Sequence, residues 1–148
     1  MTHRRVGGDE TRTRYTPAPR ITVAARAGSL PTLTMEFPCA AWSGTGPGPT
    51  TRLTFAEVFE YRFIESKIAY FESNSEDFAF ALIEVVDSQL KERMLGRGWY
   101  RNIAPENEWM PGARDADLHH YRIGFDEHGH YEVVCLGIDI AETTSEWV

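Results

Sequence analysis

Four of the five histidines, His119, His120, His128 and His130, crowd into one stretch near the C-terminus. Neutral imidazoles bind transition metals and act as general bases near neutral pH, so these residues are the first place to look for chemistry. Their spacing separates them. His119 and His120 are neighbours and point to opposite faces of any strand they begin. His128 and His130 flank Gly129 at a turn some ~25 Å further on at ~3.3 Å per residue. One ion cannot bind both pairs, His128 and His130 read as exposed turn residues, and no metal or cofactor is expected.

Paired carboxylates are the second chemical possibility. Asp115 with Asp117, and Asp126 with Glu127, stand close in sequence. General acid–base work needs two carboxyl groups in environments that push their pKa values apart, and neighbours in polar turns do not meet that condition. Asp126 before a turn reads as a turn former. The chain holds no G-x-S-x-G, H-E-x-x-H, Walker or G-x-G-x-x-G motif. Gly44-Thr45-Gly46 holds the first two glycines of the last pattern, but Pro47 and Pro49 follow and no helix is expected to begin there. Cys39 and Cys135 belong to no C-x-x-C pair and read as two buried thiols, with a bridge between them as the alternative. No catalytic residue is assigned.

A binding surface is better supported. Trp99, Tyr100 and Trp109 lie in a Gly/Pro-punctuated stretch, residues 97–117, beside Glu106, Glu108, Asp115 and Asp117. Aromatic anchors among carboxylates suit contact with a basic protein, although the same aromatics could plug the core. A second reading is a small enzyme or small-molecule-binding domain, with a pocket between sheet and helix lined by Tyr61, His120 and Tyr121.

Charge is distributed unevenly along the 148 residues. Residues 1–30 carry six arginines against Asp9 and Glu10; a total of −7 with +4 in this segment leaves −11 in the remaining 118. The basic segment has few large apolar residues, so residues 1–32 are expected to form a flexible arm that cannot offset its ordering entropy by burial. Such an arm could touch nucleic acid, whereas the acidic body disfavours it. With 42% hydrophobic and 25% charged residues, the rest has the composition of a globular domain. No apolar run reaches a membrane span or a signal sequence, and a cytoplasmic location is the expectation. Arginine outnumbers lysine thirteen to two, the bias of proteins from GC-rich bacterial genomes.

The elements that must position these residues follow from periodicity. Thr32 to Phe37 alternates polar and apolar residues, as a half-buried strand does. A second strand runs from Arg52 into the sixties, with a phase shift at Ala56-Glu57-Val58 that marks a bulge. Phe78 to Val86 is apolar on both faces. Asp87 or Ser88 can cap a short helix over 87–95 that ends at Gly96. Tyr121, Ile123 and Phe125, then Tyr131, Val133 and Cys135, form an antiparallel hairpin turning at Gly129, and Gly137 shifts the apolar phase again. The expected fold is α+β: a mainly antiparallel sheet of five to six strands, or a partly closed barrel, with one short helix. It spans residues 33–142, with 143–148 as a tail.

The order Leu53-Thr54-Phe55-x-x-Val58-x-x-Tyr61-Arg62-Phe63, a strand, a short helix, and then Leu118-x-His120-Tyr121-Arg122-Ile123-x-Phe125-Asp126-x-x-Gly129-x-Tyr131-Glu132-Val133-Val134 resembles small uncharacterised bacterial proteins. Some of these are similar to immunity proteins of polymorphic toxin systems. The resemblance covers residues 50–140 and carries no catalytic residue. It implies a cytoplasmic protein that binds and blocks a toxin domain, with a basic partner suited to the acidic body.

Overall fold

The computed structural model describes residues 3–11, 13, 18–25, 30–38, 50–65, 81–96, 118–125 and 128–143. In chain order these contain β1 (His3–Arg5), a 3-10 turn (Asp9–Thr11), β2 (Arg20–Ala24), β3 (Thr32–Pro38), β4 (Thr50–Ile64), β5 (Leu82–Val85), helix α1 (Gln89–Gly96), β6 (His119–Phe125) and β7 (Gly129–Thr143). The strands form one sheet in the order β1-β5-β6-β7-β4-β3-β2, with every neighbouring pair antiparallel.

Period-two patterning builds the core on one face. Leu33, Met35 and Phe37 of β3, Leu53 and Phe55 of β4, Tyr121, Ile123 and Phe125 of β6, and Val133 and Cys135 of β7 share one buried cluster. Phe37 and Phe125 lie on strands separated by β4 and β7. Side chains standing on a flat sheet would hold those rings about 14 Å apart, yet their centroids are 5.3 Å apart, edge to face. The sheet therefore curls strongly over its core. It is not a closed barrel among the described residues, because β1 and β2 end the strand order and do not pair with each other.

The curl coincides with the expected phase shift. Glu57 has φ 52, and the register of β4 against β7 shifts between Val58 and Glu60. The inward side chains of β4 thus step from Phe55 to Val58, and the Val58 N–H donates to the Pro31 carbonyl at 2.9 Å. Across from Ala56 stands Gly137. Beyond it, core packing in β7 passes from Val133 and Cys135 to Ile138 and Ile140, while Leu136 packs on the helix side. A bulge in one strand opposite a glycine in the other lets both turn together.

The described parts of residues 1–32, which composition reads as a flexible arm, contain two strands. β1 lies along the outer edge of β5, and the Val6 N–H continues the ladder to Leu82 O at 3.0 Å. The Thr11 hydroxyl donates to Val6 O at 2.7 Å, and the Thr51 hydroxyl donates to Glu10 O at 2.6 Å. The Thr13 hydroxyl donates to the Gly124 carbonyl. β2 then pairs with β3 at the opposite edge. The described parts of this strap thus attach at both edges of the sheet, which has seven strands rather than the expected five to six. Among the described residues of the strap, Val6 and Ile21 pack on the core. Its order comes from main-chain pairing and hydroxyl–carbonyl bonds, to which a composition argument is blind.

The hairpin turn makes one glycine indispensable. Gly129 has φ +131, and a Cβ there would lie 2.5 Å from Ile64 O and 2.8 Å from the Phe63 ring. Gly137 has open space around it. Gly129→Ala is therefore expected to cost about 2 kcal/mol or more, whereas Gly137→Ala changes stability by no more than about 0.5 kcal/mol. Paired urea melts check this; equal effects at the two glycines would contradict it.

Candidate functional site

Because His119 and His120 are consecutive in β6, they seed two polar clusters on opposite faces of the sheet. The first is on the core side, at the β1–β5 edge. His119 Nδ1 lies 2.7 Å from Glu84 Oε2, and the Arg4 guanidinium donates to Glu84 Oε1. Arg4 and Glu84 are directly opposed in register. The His119 ring stacks on Tyr121, centroids 5.7 Å apart. Burial pushes the Glu84 carboxyl up, but its bonds from His119 and Arg4 outweigh that and hold it below the ordinary range. A carboxylate has no hydrogen to give, so His119 Nδ1 is the donor. Burial, and then the charge of Glu84, raise the Tyr121 phenol. Burial also pushes the free Cys135 thiol up to about 12; it is an inert neutral thiol donating to Gly137 O at 3.3 Å.

The second cluster joins the sheet to the helix. Ser88 caps α1, its Oγ accepting the Lys91 N–H at 3.0 Å. The same oxygen lies 2.6 Å from His120 Nδ1. The other ring nitrogen of His120, Nε2, faces Glu132. That atom is 3.7 Å from Glu132 Oε1, an electrostatic contact rather than a hydrogen bond. Glu132 is gripped by two guanidiniums. Arg122 donates to Oε1 from Nε at 3.1 Å and Nη2 at 3.0 Å. Arg62 donates to Oε2 from Nε at 2.7 Å and Nη2 at 2.5 Å. Burial works to raise the Glu132 carboxyl; the His120 imidazole and the charges of Arg122 and Arg62 outweigh it and hold it far below the carboxylate range.

The order Ser88, His120, Glu132 has the composition of a nucleophilic relay, but its geometry serves a different end. Ser88 and His120 are 1% and 4% exposed, and Ser88 Oγ is already engaged by Lys91 and His120. The chain of contacts fastens the first turn of the helix to the sheet and offers no attacking oxygen to solvent. Leu118, Val134, Phe59, Leu90 and Leu136 pack beside it at the same junction.

The structure does not bring Tyr61, His120 and Tyr121 to one pocket. Tyr61 and Tyr121 both register against Val133 and so share the core-side face, with Tyr61 exposed. His120 is on the other face, as the residue next to Tyr121 must be. His128 and His130 are not exposed turn residues either. His130 is buried, and His128 stacks on Phe63 with centroids 4.7 Å apart while its Nε2 meets the Tyr131 hydroxyl at 3.0 Å. Among the described residues no group of His, Cys, Asp and Glu could hold a metal. Trp99, Tyr100, Glu106, Glu108, Trp109, Asp115 and Asp117, with Cys39, Asp126 and Glu127, lie outside the described residues.

Sequence reasoning missed Glu84, Ser88 as a histidine partner, and the triple Arg62–Glu132–Arg122. One signal for the triple exists. Tyr61-Arg62-Phe63, Tyr121-Arg122-Ile123 and Tyr131-Glu132-Val133 repeat an aromatic-charged-apolar pattern. An arginine above and below a glutamate is the pairing such tripeptides make when the strands adjoin. Comparison with known protein families, with curated proteins and with solved structures finds no match.

Glu132→Gln leaves two guanidiniums without their carboxylate and is expected to cost about 3 kcal/mol at neutral pH. The folded-state pKa is depressed, so the stabilisation is present above the ordinary value of 4.5 and is lost as pH falls below it. The gap between wild type and E132Q should therefore narrow between about pH 5 and pH 2, read by denaturant melts. A pH-independent gap would contradict the ion-pair account.

Proposed function

We propose that the protein is a non-catalytic binding module that engages and blocks a basic protein partner in the manner of an immunity protein. The observation that supports this reading most is how charge is partitioned. In the described sheet Arg4, Arg52, Arg62 and Arg122 are paired with Glu84, Glu36 and Glu132. Glu57, Glu65, Glu92, Asp139 and Glu142 are exposed. In a chain of net charge −7, internal pairing thus takes up arginines and leaves carboxylates to face a partner. A field of that sign accelerates encounter with a basic surface and rejects phosphate backbones. Among the described residues no helix is long and apolar enough to cross a membrane, and a cytoplasmic setting is part of the same proposal.

The test is capture of a stoichiometric partner from source lysate, followed by calorimetry with the purified pair. The expected partner is basic, and its affinity falls about tenfold or more between ~50 and ~300 mM salt. The variant Glu57→Lys/Asp139→Lys/Glu142→Lys should weaken binding while its melting temperature stays near wild type. An affinity indifferent to both salt and charge reversal would refute the reading.

A further inference from the structure

We propose that the outer edge of β5, centred on Glu84, is the binding site for an extended basic strand of the partner, and that β1 occupies it in cis with Arg4 standing in for the partner's arginine. This rests on the basic-partner reading and gives it a location.

Glu84 is the one charged residue of β5, whose sequence is Leu-Ile-Glu-Val, and every residue of that strand is buried. A carboxylate in that position requires a cation. The scaffold supplies one contact, His119 from β6. The other, Arg4, comes from outside the scaffold. Its side chain is 67% exposed while that of Glu84 is 11% exposed, so the guanidinium reaches the carboxylate from the solvent side and is not enclosed by the fold. An arginine on another chain could take the same path.

The occupant is also weakly held. β1 is three residues long and makes one short ladder, His3↔Val85, Arg4↔Glu84 and Arg5↔Ile83, which the Val6 N–H to Leu82 O bond extends by one step. Immediately after Val6 the chain turns away through Gly7, with φ 80, where the Arg5 guanidinium donates to Gly8 O at 3.1 Å and the Gly8 N–H donates to Glu10 Oε1 at 2.9 Å. The strap beyond has its own attachments to the sheet, the Thr13 hydroxyl to Gly124 O and the Thr51 hydroxyl to Glu10 O. β1 can therefore lift from the edge while the crossing over the core stays in place, the kind of small unit that opens locally. Its departure bares a row of β5 main-chain donors and acceptors beside a buried carboxylate. An antiparallel strand with an arginine at the register of Arg4 satisfies both, main-chain pairing giving affinity and the arginine giving specificity. Tethering keeps β1 at a high effective concentration, so it competes with any such strand.

The probe is a fluorescein-labelled peptide with the sequence of residues 2–7, Thr-His-Arg-Arg-Val-Gly, read by polarisation against the full-length chain. Arg4→Ala weakens the cis occupant, and this variant is expected to bind the peptide about tenfold or more tightly than wild type. Adding Glu84→Gln should abolish that gain, and a peptide with alanine at the Arg4 position should not bind. Hydrogen exchange on wild type needs no variant: at saturating peptide, β1 amides should lose protection while β5 amides keep theirs. An Arg4→Ala chain that binds no better than wild type, a gain that survives Glu84→Gln, or β1 amides that stay protected would each overturn the proposal. With the natural partner, Arg4→Ala should tighten binding and Glu84→Gln should weaken it. A basic partner indifferent to both substitutions would remove this site and leave the basic-partner reading standing.

Discussion

Glu132, buried between Arg62 and Arg122, is the interaction on which the arrangement of the middle of the sheet depends. The three residues stand directly across from one another on β4, β7 and β6. A strand slipped by one residue would turn every side chain to the other face, leaving a carboxylate among apolar groups and two guanidiniums without a counterion. The cost of such a state, several kcal/mol for each stranded charge, makes the triple a lock on register. With register set, Tyr121, Ile123, Val133 and Cys135 must face the core, and His120 must face the helix, where it meets the Ser88 cap. One ion-paired row thus orders both faces at once.

The second constraint is curvature. Long antiparallel strands twist and coil, and here the bulge at Glu57 and the glycine across from Ala56 concentrate the turn at one level of the β4–β7 pair. The curled sheet folds Phe37 onto Phe125, so a single layer encloses much of its own core. The described parts of the strap attach at the β5 edge and at the β3 edge, using main-chain and hydroxyl bonds. A segment rich in Thr, Arg and Gly suits that task, since it can bridge a rim without requiring a pocket of its own.

The same rules shape the electrostatics. Each carboxylate taken inside has a cationic or imidazole neighbour: Arg4 and His119 for Glu84, Arg62, Arg122 and His120 for Glu132. Those pairs give geometry more than net stability. Outside, Glu57, Glu65, Glu92, Asp139 and Glu142 are exposed among the described residues. The edge cluster at Glu84 differs from the inner one because one of its cations, Arg4, comes from the edge strand β1 and is largely exposed.

The local elements were legible in the sequence because they rest on local physics. Alternation marks β3 and the β6–β7 hairpin, Ser88 before Gln89 marks the helix start, and the phase slip at Ala56-Glu57-Val58 marks the bulge. Gly129 sits where only a residue without Cβ fits. His120 and Tyr121 were visible as polar-tipped residues in a strand, and their opposite facing was implicit in their adjacency. What periodicity cannot state is which strands become neighbours. The pairing of β1 with β5 and of β2 with β3 depends on main-chain groups that every residue carries, so composition read those segments as an arm. Glu84, Arg122 and Glu132 look like solvated positions in a strand until tertiary pairing sets opposite charges side by side. The sequence by itself determined the segments, their faces and the acidic balance. Only the tertiary structure decided which charges are buried against each other and which stay exposed, because that choice is made between strands distant in the chain.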